Sequence, residues 1–410
     1  AVMVPTLDDV RAYCECPPQA ASLLTSPQCP IVLLKRRDAP TPVMPIADAV
    51  APNTRMLGMM IPYTPLHHIL LRDIGRPLVM TSGNVTEEPI AKDNDEALRR
   101  LGALADAFLL HNRDIYARYD DSVWHLVPVG QVSSSVEQMS SSVGRGLRPT
   151  PVAPRPPRLP RSETCDEQRQ TSNVKRQTSG IPQPLRRARG YAPLPVHLPF
   201  KLRRIFATGP EMKNTFCLTR DEYAFISQHI GDMENLETLA HYEAALETYK
   251  HLFRIEPEEI VCDLHPDYLT TRLAHEYAQK AGLPTPLQVQ HHHAHIASCL
   301  ADSGRAFDDS SAPVIGVALD GTGYGEDGAI WGAEWLVGGY RGFQRVAHLE
   351  YLPLPGGDVS VHRPWRIAVA YLHALEFDER LPLGEFCPGD VMRVRAMVDK
   401  GLNTPMTSSM

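Results

Sequence analysis

Two hydrophobic periods alternate along the chain. Ile31–Leu34 and Pro77–Met80 are short apolar runs that predict buried strands. Asp93 to about Ala105 predicts a helix. Leu98, Leu101 and Ala105 share one face, and Asp93 with Glu96 fits an N-cap and capping box. Phe108–Leu110 predicts another strand. Beyond Arg203, Ile205–Thr208, Thr215–Thr219 and Tyr223–Ser227 predict successive strands. Leu236–Phe253 is a long amphipathic helix with Leu239, Tyr242, Leu246, Tyr249 and Phe253 on one face. Strand Ile260–Asp263, helix Tyr268–Ala281 and strand Leu287–Gln290 follow, and the last runs into histidines from which Ala294 to about Asp302 continues as helix. Val314–Leu319 and Ala329–Val337 predict a hairpin around a glycine-rich turn, and Trp365–Leu375 a further helix. Such alternation predicts an α/β fold.

Residues 129–183 break the pattern. Serine runs at 133–135 and 140–142 precede prolines interleaved with arginines, and no Phe, Trp or Tyr occurs between Trp124 and Tyr191. A segment so poor in apolar surface cannot offset its ordering entropy, so the expectation is a disordered insertion.

The chain has 410 residues, enough for two or three domains, and a net charge of -7. That balance gives no global basic field for non-specific nucleic-acid binding. No stretch reaches the ~18 uncharged apolar residues of a membrane span. The eight cysteines form no C-x-x-C pair. Scattered thiols in a chain this long suggest a reduced, cytoplasmic setting.

Four of the five residues from His291 to His295 are histidine. On a helix starting there, His291 and His295 stand at i and i+4, with Cβ atoms ~6 Å apart. Two imidazoles so placed can reach one divalent ion, zinc or iron(II). His292 and His293 then face substrate or solvent. The run Asp320-Gly321-Thr322-Gly323-Tyr324-Gly325-Glu326-Asp327-Gly328 follows an apolar strand but precedes another strand, which excludes a dinucleotide fingerprint. Its backbone N–H groups suit phosphate, and Asp320 suits a metal or its water. Gly209-Pro210-Glu211-Met212-Lys213-Asn214-Thr215 is a second strand–turn–strand loop, in which Lys213 offers a charge to phosphate. Thr81-Ser82-Gly83-Asn84 after the strand ending at Met80 offers hydroxyls and an amide to phosphate or ribose. For each loop the plain alternative is an ordinary turn.

Taken together these motifs resemble the HypF family of hydrogenase-maturation carbamoyltransferases. The resemblance rests on MIPYTPLHHILL (60–71), MTSGNVTEEPIA (80–91), YDDSV (119–123), LRRARGYAP (185–193), EMKNTFCL (211–218), CDLHPDYLTTRLA (262–274), VQHHHAHIAS (289–298) and LDGTGYGEDGAIWGAEWL (319–336). It implies a YrdC-like α+β domain over 1–128 and 184–199, and an incomplete TsaD-like, actin-like domain over 200–410. It also implies an arrangement truncated at both ends, with an acidic third metal ligand beyond Met410. The implied activity makes carbamoyl adenylate from carbamoyl phosphate and ATP, and passes the carbamoyl group to the C-terminal cysteine of a HypE partner. Carried over by motif, Ser82, Asn84 and either Arg187 or Arg189 contact the adenylate. Lys213, Asn214, Asp320, Gly321, Gly323 and Asp327 surround nucleotide phosphates with Mg, and His291 and His295 hold the metal. Gly209-Pro210 stands where the family has two glycines. The alternatives are threonylcarbamoyl transfer to tRNA, and a non-catalytic nucleotide-binding or scaffold chain.

Overall fold

The computed structural model describes residues 1–37, 44–86, 88–128, 180–306, 313–376 and 388–409. Contacts divide the chain into two compact units, Ala1–Met80 with Val123–Leu185, and Thr81–Ser122 with Arg186–Met410.

The first unit is built on a mixed sheet. Its strands are β1 (Val2–Met3), β2 (Ile31–Lys35), β3 (Met56–Met60), β4 (Leu78–Val79), β5 (Val123–Pro128) and β6 (Gly180–Arg186), in the order β4-β1-β3-β2-β5-β6. Successive side chains leave opposite faces of a strand. Val2, Val32 and Met59 therefore join α1 (Leu7–Tyr13) and α2 (Pro18–Leu24) in one core. Their neighbours Met3 and Met60 pack with Leu71 of α3 (Pro65–Ile74) in another. Thr6 and Asp9 cap α1 reciprocally, with Asp9 N donating to Thr6 Oγ1 at 3.2 Å and Thr6 N to Asp9 Oδ2 at 2.9 Å. The insertion expected over 129–183 falls mostly on residues that are not described. Residues 129–179 lie outside the described residues, but Gly180 already opens β6.

The second unit begins with α4 (Asn94–Leu101), shorter than expected. Asp93 makes no side-chain cap bond there. Glu96 is drawn instead to Lys92 N at 3.0 Å and to the guanidinium groups of Arg100 and Arg118, so no capping box forms. Phe108–Leu110 is not a strand: nothing among the described residues pairs with it, and Leu109 is exposed.

The unit's main sheet comprises β7 (Val196–Leu202), β8 (Ile205–Ala207), β9 (Cys217–Ile226), β10 (Glu259–Asp263) and β11 (Leu287–Val289), in the order β11-β10-β8-β9-β7. The two strands expected between Thr215 and Ser227 are one. Asp221 adopts φ 53°, and β9 bends there to pass from β8 to β7. Helices α5 (Leu236–Phe253) and α6 (Leu269–Ala281) cover the sheet. Phe216 lies at the centre, edge-on to Tyr242 (5.4 Å between centroids) and Tyr249 (5.2 Å).

From β11 the chain enters α7 (His291–Asp302), then β12 (Val314–Ala318). β12 pairs antiparallel with β15 (Glu334–Gly339), as the hairpin expectation requires, and β15 with β16 (Gly342–His348). The intervening segment is more than a turn. It forms β13 (Gly323–Tyr324) and β14 (Ile330–Trp331), which join β17 (Leu352–Pro353) and β18 (Met406–Thr407) in a separate small sheet. Helices α8 (Asp358–His362), α9 (Trp365–Ala374) and α10 (Pro388–Lys400) complete the described fold. None of the described helices is long and apolar enough to cross a membrane.

The aromatic centre predicts where stability resides. Phe216→Ala should lower unfolding free energy by ~3–5 kcal/mol in denaturant titration. Leu236→Ala, at a residue 79% exposed, should change it by under ~0.5 kcal/mol. Equal losses would contradict this core.

Candidate metal centre and anion cleft

The metal centre is assembled by strand register. β10 and β11 run parallel with Asp263 opposite Val289, so their C-terminal ends lie side by side. Gln290 then caps α7, its Oε1 accepting from His293 N at 3.0 Å, and the helix starts at His291. The side-chain amide of Gln290 also donates to Tyr324 O at 3.2 Å, which ties the helix start to the loop after β12. That loop can approach because Gly323 has no side chain: a Cβ there would lie 2.6 Å from His292 Cε1.

Three donor atoms converge as a result. His291 Nε2 lies 3.0 Å from Asp320 Oδ2, His295 Nε2 lies 3.1 Å from the same oxygen, and the two nitrogens are 3.2 Å apart. Ligands at ~2.0–2.1 Å from a tetrahedral ion stand about 3.3 Å from one another. The triangle has nearly those dimensions. His295 and Asp320 are exposed, so its outer side is open to a further ligand. Two imidazoles and a carboxylate suit zinc or iron(II).

The surrounding groups orient the triad. His291 Nδ1 faces Asp263 Oδ2 at 2.7 Å, which fixes the tautomer that leaves Nε2 free. Hydrogen bonds to Asp263 and then Asp320 raise the His291 imidazole to about 9, against the opposing effect of burial. Burial opposes ionisation of Asp320, but His291, His292 and His295 outweigh it and hold the carboxyl far below the usual range. His292 is fully buried, with Nδ1 3.1 Å from Gln290 Nε2 and Nε2 2.7 Å from Asp320 Oδ1 but off hydrogen-bond alignment. His293 Nε2 meets Gly339 O at 2.7 Å. His292 packs beneath the carboxylate, away from solvent, and the partly exposed His293 anchors α7 to β15.

Several groups of the glycine-rich run make contacts within the protein. Gly323 serves the close approach just described. Gly321 N donates to Gly332 O at 3.3 Å. Asp327 has both oxygens engaged, with Trp331 Nε1 at 2.8 Å, Ala329 N at 3.1 Å, Tyr351 Oη at 2.6 Å and Arg345 at 3.0 Å. Despite burial these bonds hold the Asp327 carboxyl at about 2. A group so satisfied braces the loop. Asn214 is fully buried and donates to Thr208 O and Pro210 O at 3.1 and 2.6 Å, which pins the loop from within.

A cleft of about 280 Å³ in the same unit brings together Ser82, Asn84, Lys213, Arg118 and Arg186 with the carboxylates Glu88, Asp120 and Asp232. Lys213 makes no ion pair among the described residues, and its backbone N donates to Asp232 Oδ1 at 2.5 Å. Arg118 is tethered by Ile90 O at 2.6 Å and by Glu96, and Arg186 by Asp121 O at 2.9 Å. Of the two expected arginines neither lines this cleft. Arg187 holds the backbone at Ile226, Tyr191 and Leu194, and Arg189 Nε binds Asp121 Oδ1 at 2.7 Å. Arg186 and Arg118 line it. Asp263, Arg118 and Arg186 were not singled out from sequence, although Asp263 lies inside the quoted CDLHPDYLTTRLA run.

Residues 201–302 match the family described as the HypF Kae1-like domain, and residues 316–410 the second subdomain of the carbamoyltransferase Kae1-like domain. Residues 1–134 match the Sua5/YciO/YrdC family, described as telomere recombination. The chain is 39% identical to carbamoyltransferase HypF2 of Cupriavidus necator, over all of this chain and 46% of that relative. It is 35% identical to carbamoyltransferase HypF of Rhizobium leguminosarum bv. viciae, with the same coverage. Full-length HypF solved in a phosphate- and nucleotide-bound form aligns with a TM-score of 0.78 at 38% identity, over 100% of this chain and 46% of that one. HypF of T. kodakarensis aligns with a TM-score of 0.78 at 31% identity, over 100% and 47%. The chain thus spans about half the length of the relatives it matches.

The geometry predicts how the triad responds to mutation and pH. Asp263→Asn should weaken zinc binding by ~10–100-fold in a competition titration. Protonation of His291 competes with metal, so apparent affinity should rise from pH 6.5 to about 9 and then level off. In chelator the imidazolium contributes stability that is complete below 6.5 and lost as pH rises through about 9. Affinity independent of pH over this window would contradict the ligand assignment.

Proposed function

The chain belongs to the HypF carbamoyltransferase family, and from that premise we propose that it contributes both halves of an ATP-dependent carbamoyl transfer. The observation that carries this reading is the His291–His295–Asp320 triangle backed by Asp263. On this reading residues 1–128 with 184–199 belong to the YrdC-like module, and residues 200–410 to the TsaD-like module.

In the first half-reaction carbamoyl phosphate, ATP and water give carbamoyl adenylate, inorganic phosphate and pyrophosphate: the carbamoyl–phosphate bond is cleaved by water, a carbamate oxygen attacks the α-phosphorus of ATP, and pyrophosphate leaves. Ser82 and Asn84 present a hydroxyl and an amide to the nucleotide, and Lys213, Arg118 and Arg186 face the phosphates, with Mg as their counter-ion. In the second, the thiolate of the C-terminal cysteine of HypE attacks the carbamoyl carbon. The C–S bond forms, the bond from that carbon to the phosphate oxygen breaks, and AMP leaves with the electron pair. No side-chain nucleophile of this chain is needed. Its residues orient the mixed anhydride and stabilise phosphate charge. His291, in the tautomer set by Asp263, would hold a divalent ion with His295 and Asp320, the carboxylate bringing the negative charge that favours a cation. Bound there, zinc or iron would supply Lewis-acid polarisation.

The test is isotope exchange between pyrophosphate and ATP. It should depend on carbamoyl phosphate, and Lys213→Ala should slow it by at least ~tenfold. Label should then reach a peptide ending in the HypE cysteine, and not tRNA. Exchange without carbamoyl phosphate, or carbamoylation of tRNA alone, would contradict this function.

A further inference from the structure

His292 lies beside the metal triangle without a corner in it, and its surroundings fix which ring nitrogen carries hydrogen. The orientation of the Gln290 side chain comes first. Its Oε1 accepts from His293 N at 3.0 Å, and its Nε2 donates to Tyr324 O at 3.2 Å. A backbone N–H only donates and a backbone carbonyl only accepts, so this amide has one orientation. The same Nε2 stands 3.1 Å from His292 Nδ1. Nδ1 is therefore the acceptor, and the hydrogen of the neutral ring sits on Nε2.

Nε2 in turn stands 2.7 Å from Asp320 Oδ1. The ring is fully buried and Gln290 is 4% exposed, so both contacts are shielded from water. The Nε2–H is out of line with Oδ1, and no other acceptor meets it among the described residues. A buried donor without an aligned partner is costly, and a small turn of the carboxylate removes that cost. The ring has less freedom to turn, because Gly323 is packed so closely that a Cβ there would fall 2.6 Å from His292 Cε1. The two oxygens of Asp320 thus have separate partners. Oδ2 faces His291 Nε2 and His295 Nε2 at 3.0 and 3.1 Å, and Oδ1 faces His292. An unrestrained carboxylate can turn both oxygens onto one cation. That would fill a coordination position, whereas reactive sites with three protein ligands keep the fourth position open.

We propose that His292 is a positioning residue of the metal centre: its Nε2–H, oriented by Gln290, holds Asp320 by Oδ1, so that the carboxylate meets a divalent ion through Oδ2 alone and a fourth position stays open for a reactant. This assignment rests on the metal reading of the triad and adds to it the group that sets how Asp320 binds. His292 makes no bond to the ion and transfers no proton.

Loading the full chain with cobalt(II) tests it, because four-coordinate cobalt absorbs visible light much more strongly than five- or six-coordinate cobalt. The unmodified chain should give the strong four-coordinate bands. His292→Phe keeps a flat buried ring and removes the donor. Oδ1 is then free to chelate, so the bands should weaken severalfold, and zinc affinity in a competition titration should fall by ~10–100-fold. His292→Gln, whose amide nitrogen can take the place of Nε2, should restore both. His292→Asn, which reaches only the place of Nδ1, should not. If His292→Phe does not fold, the comparison of Gln with Asn carries the test. Four-coordinate bands unchanged in the Phe and Asn variants overturn the role of His292 while leaving the metal centre standing. So does equal loss in the Gln and Asn variants, which would make the ring a matter of packing, and so does a five- or six-coordinate spectrum from the unmodified chain. Failure of the unmodified chain to bind cobalt or zinc overturns the metal reading as well.

Discussion

Two carboxylates face a single imidazole. Asp263 lies 2.7 Å from one nitrogen of His291, and Asp320 lies 3.0 Å from the other. Partly buried negative charges this close raise one another's energy unless positive charge stands between them. Either a second proton on His291 or a metal ion supplies that charge. Much of the local architecture serves this constraint. The parallel register of β10 and β11 delivers Asp263, the Gln290 cap starts the helix at His291, and Gly323 lets the loop bearing Asp320 close onto His292.

The loop after β12 shows how such a site is kept rigid. Arg345 stacks over Trp331 at 4.0 Å and binds Glu334 Oε2 at 2.6 Å. Glu334, itself fully buried, is hydrogen-bonded by Ser408 Oγ. With Asp327 and Tyr351 these residues form a polar scaffold beneath the metal-binding loop. Such networks rigidify the geometry they share, although Arg345 Nη2 has no partner among the described residues. In the cleft the cations are instead positioned by backbone carbonyls and carboxylates, which leaves Lys213 without an ion pair among the described residues.

Elements with strong local periodicity were legible in the chain. Leu236–Phe253 is a helix with the expected buried face, and β11 runs into α7 at the histidines as the pattern implies. The i, i+4 placement of His291 and His295 needs only the helix, so that pair could be named in advance. Asp263 could not: a single aspartate ending a strand has no periodic signature, and its importance comes from the neighbour that parallel pairing supplies. Loop contacts were illegible for the same reason. Asp327 and Gly323 fall in loops whose composition suits phosphate, and Tyr351 and Arg345, distant in the chain, bind Asp327 while His292 lies against Gly323. Arg186 was passed over beside Arg187 and Arg189 because nothing in a run of arginines shows which backbone carbonyls each will meet. The turn expected near Asp221 failed because one left-handed residue can bend a strand without ending it.

The metal centre depends most on Asp320 joining the two histidines at one ion. X-ray absorption at the metal edge of the zinc- or iron-loaded chain measures that coordination directly. The account predicts two imidazole nitrogens and at least one oxygen at ~2.0–2.2 Å, with one oxygen lost in Asp320→Ala and one imidazole lost in His295→Ala. A spectrum unchanged by Asp320→Ala, or one showing only water ligands, would contradict it.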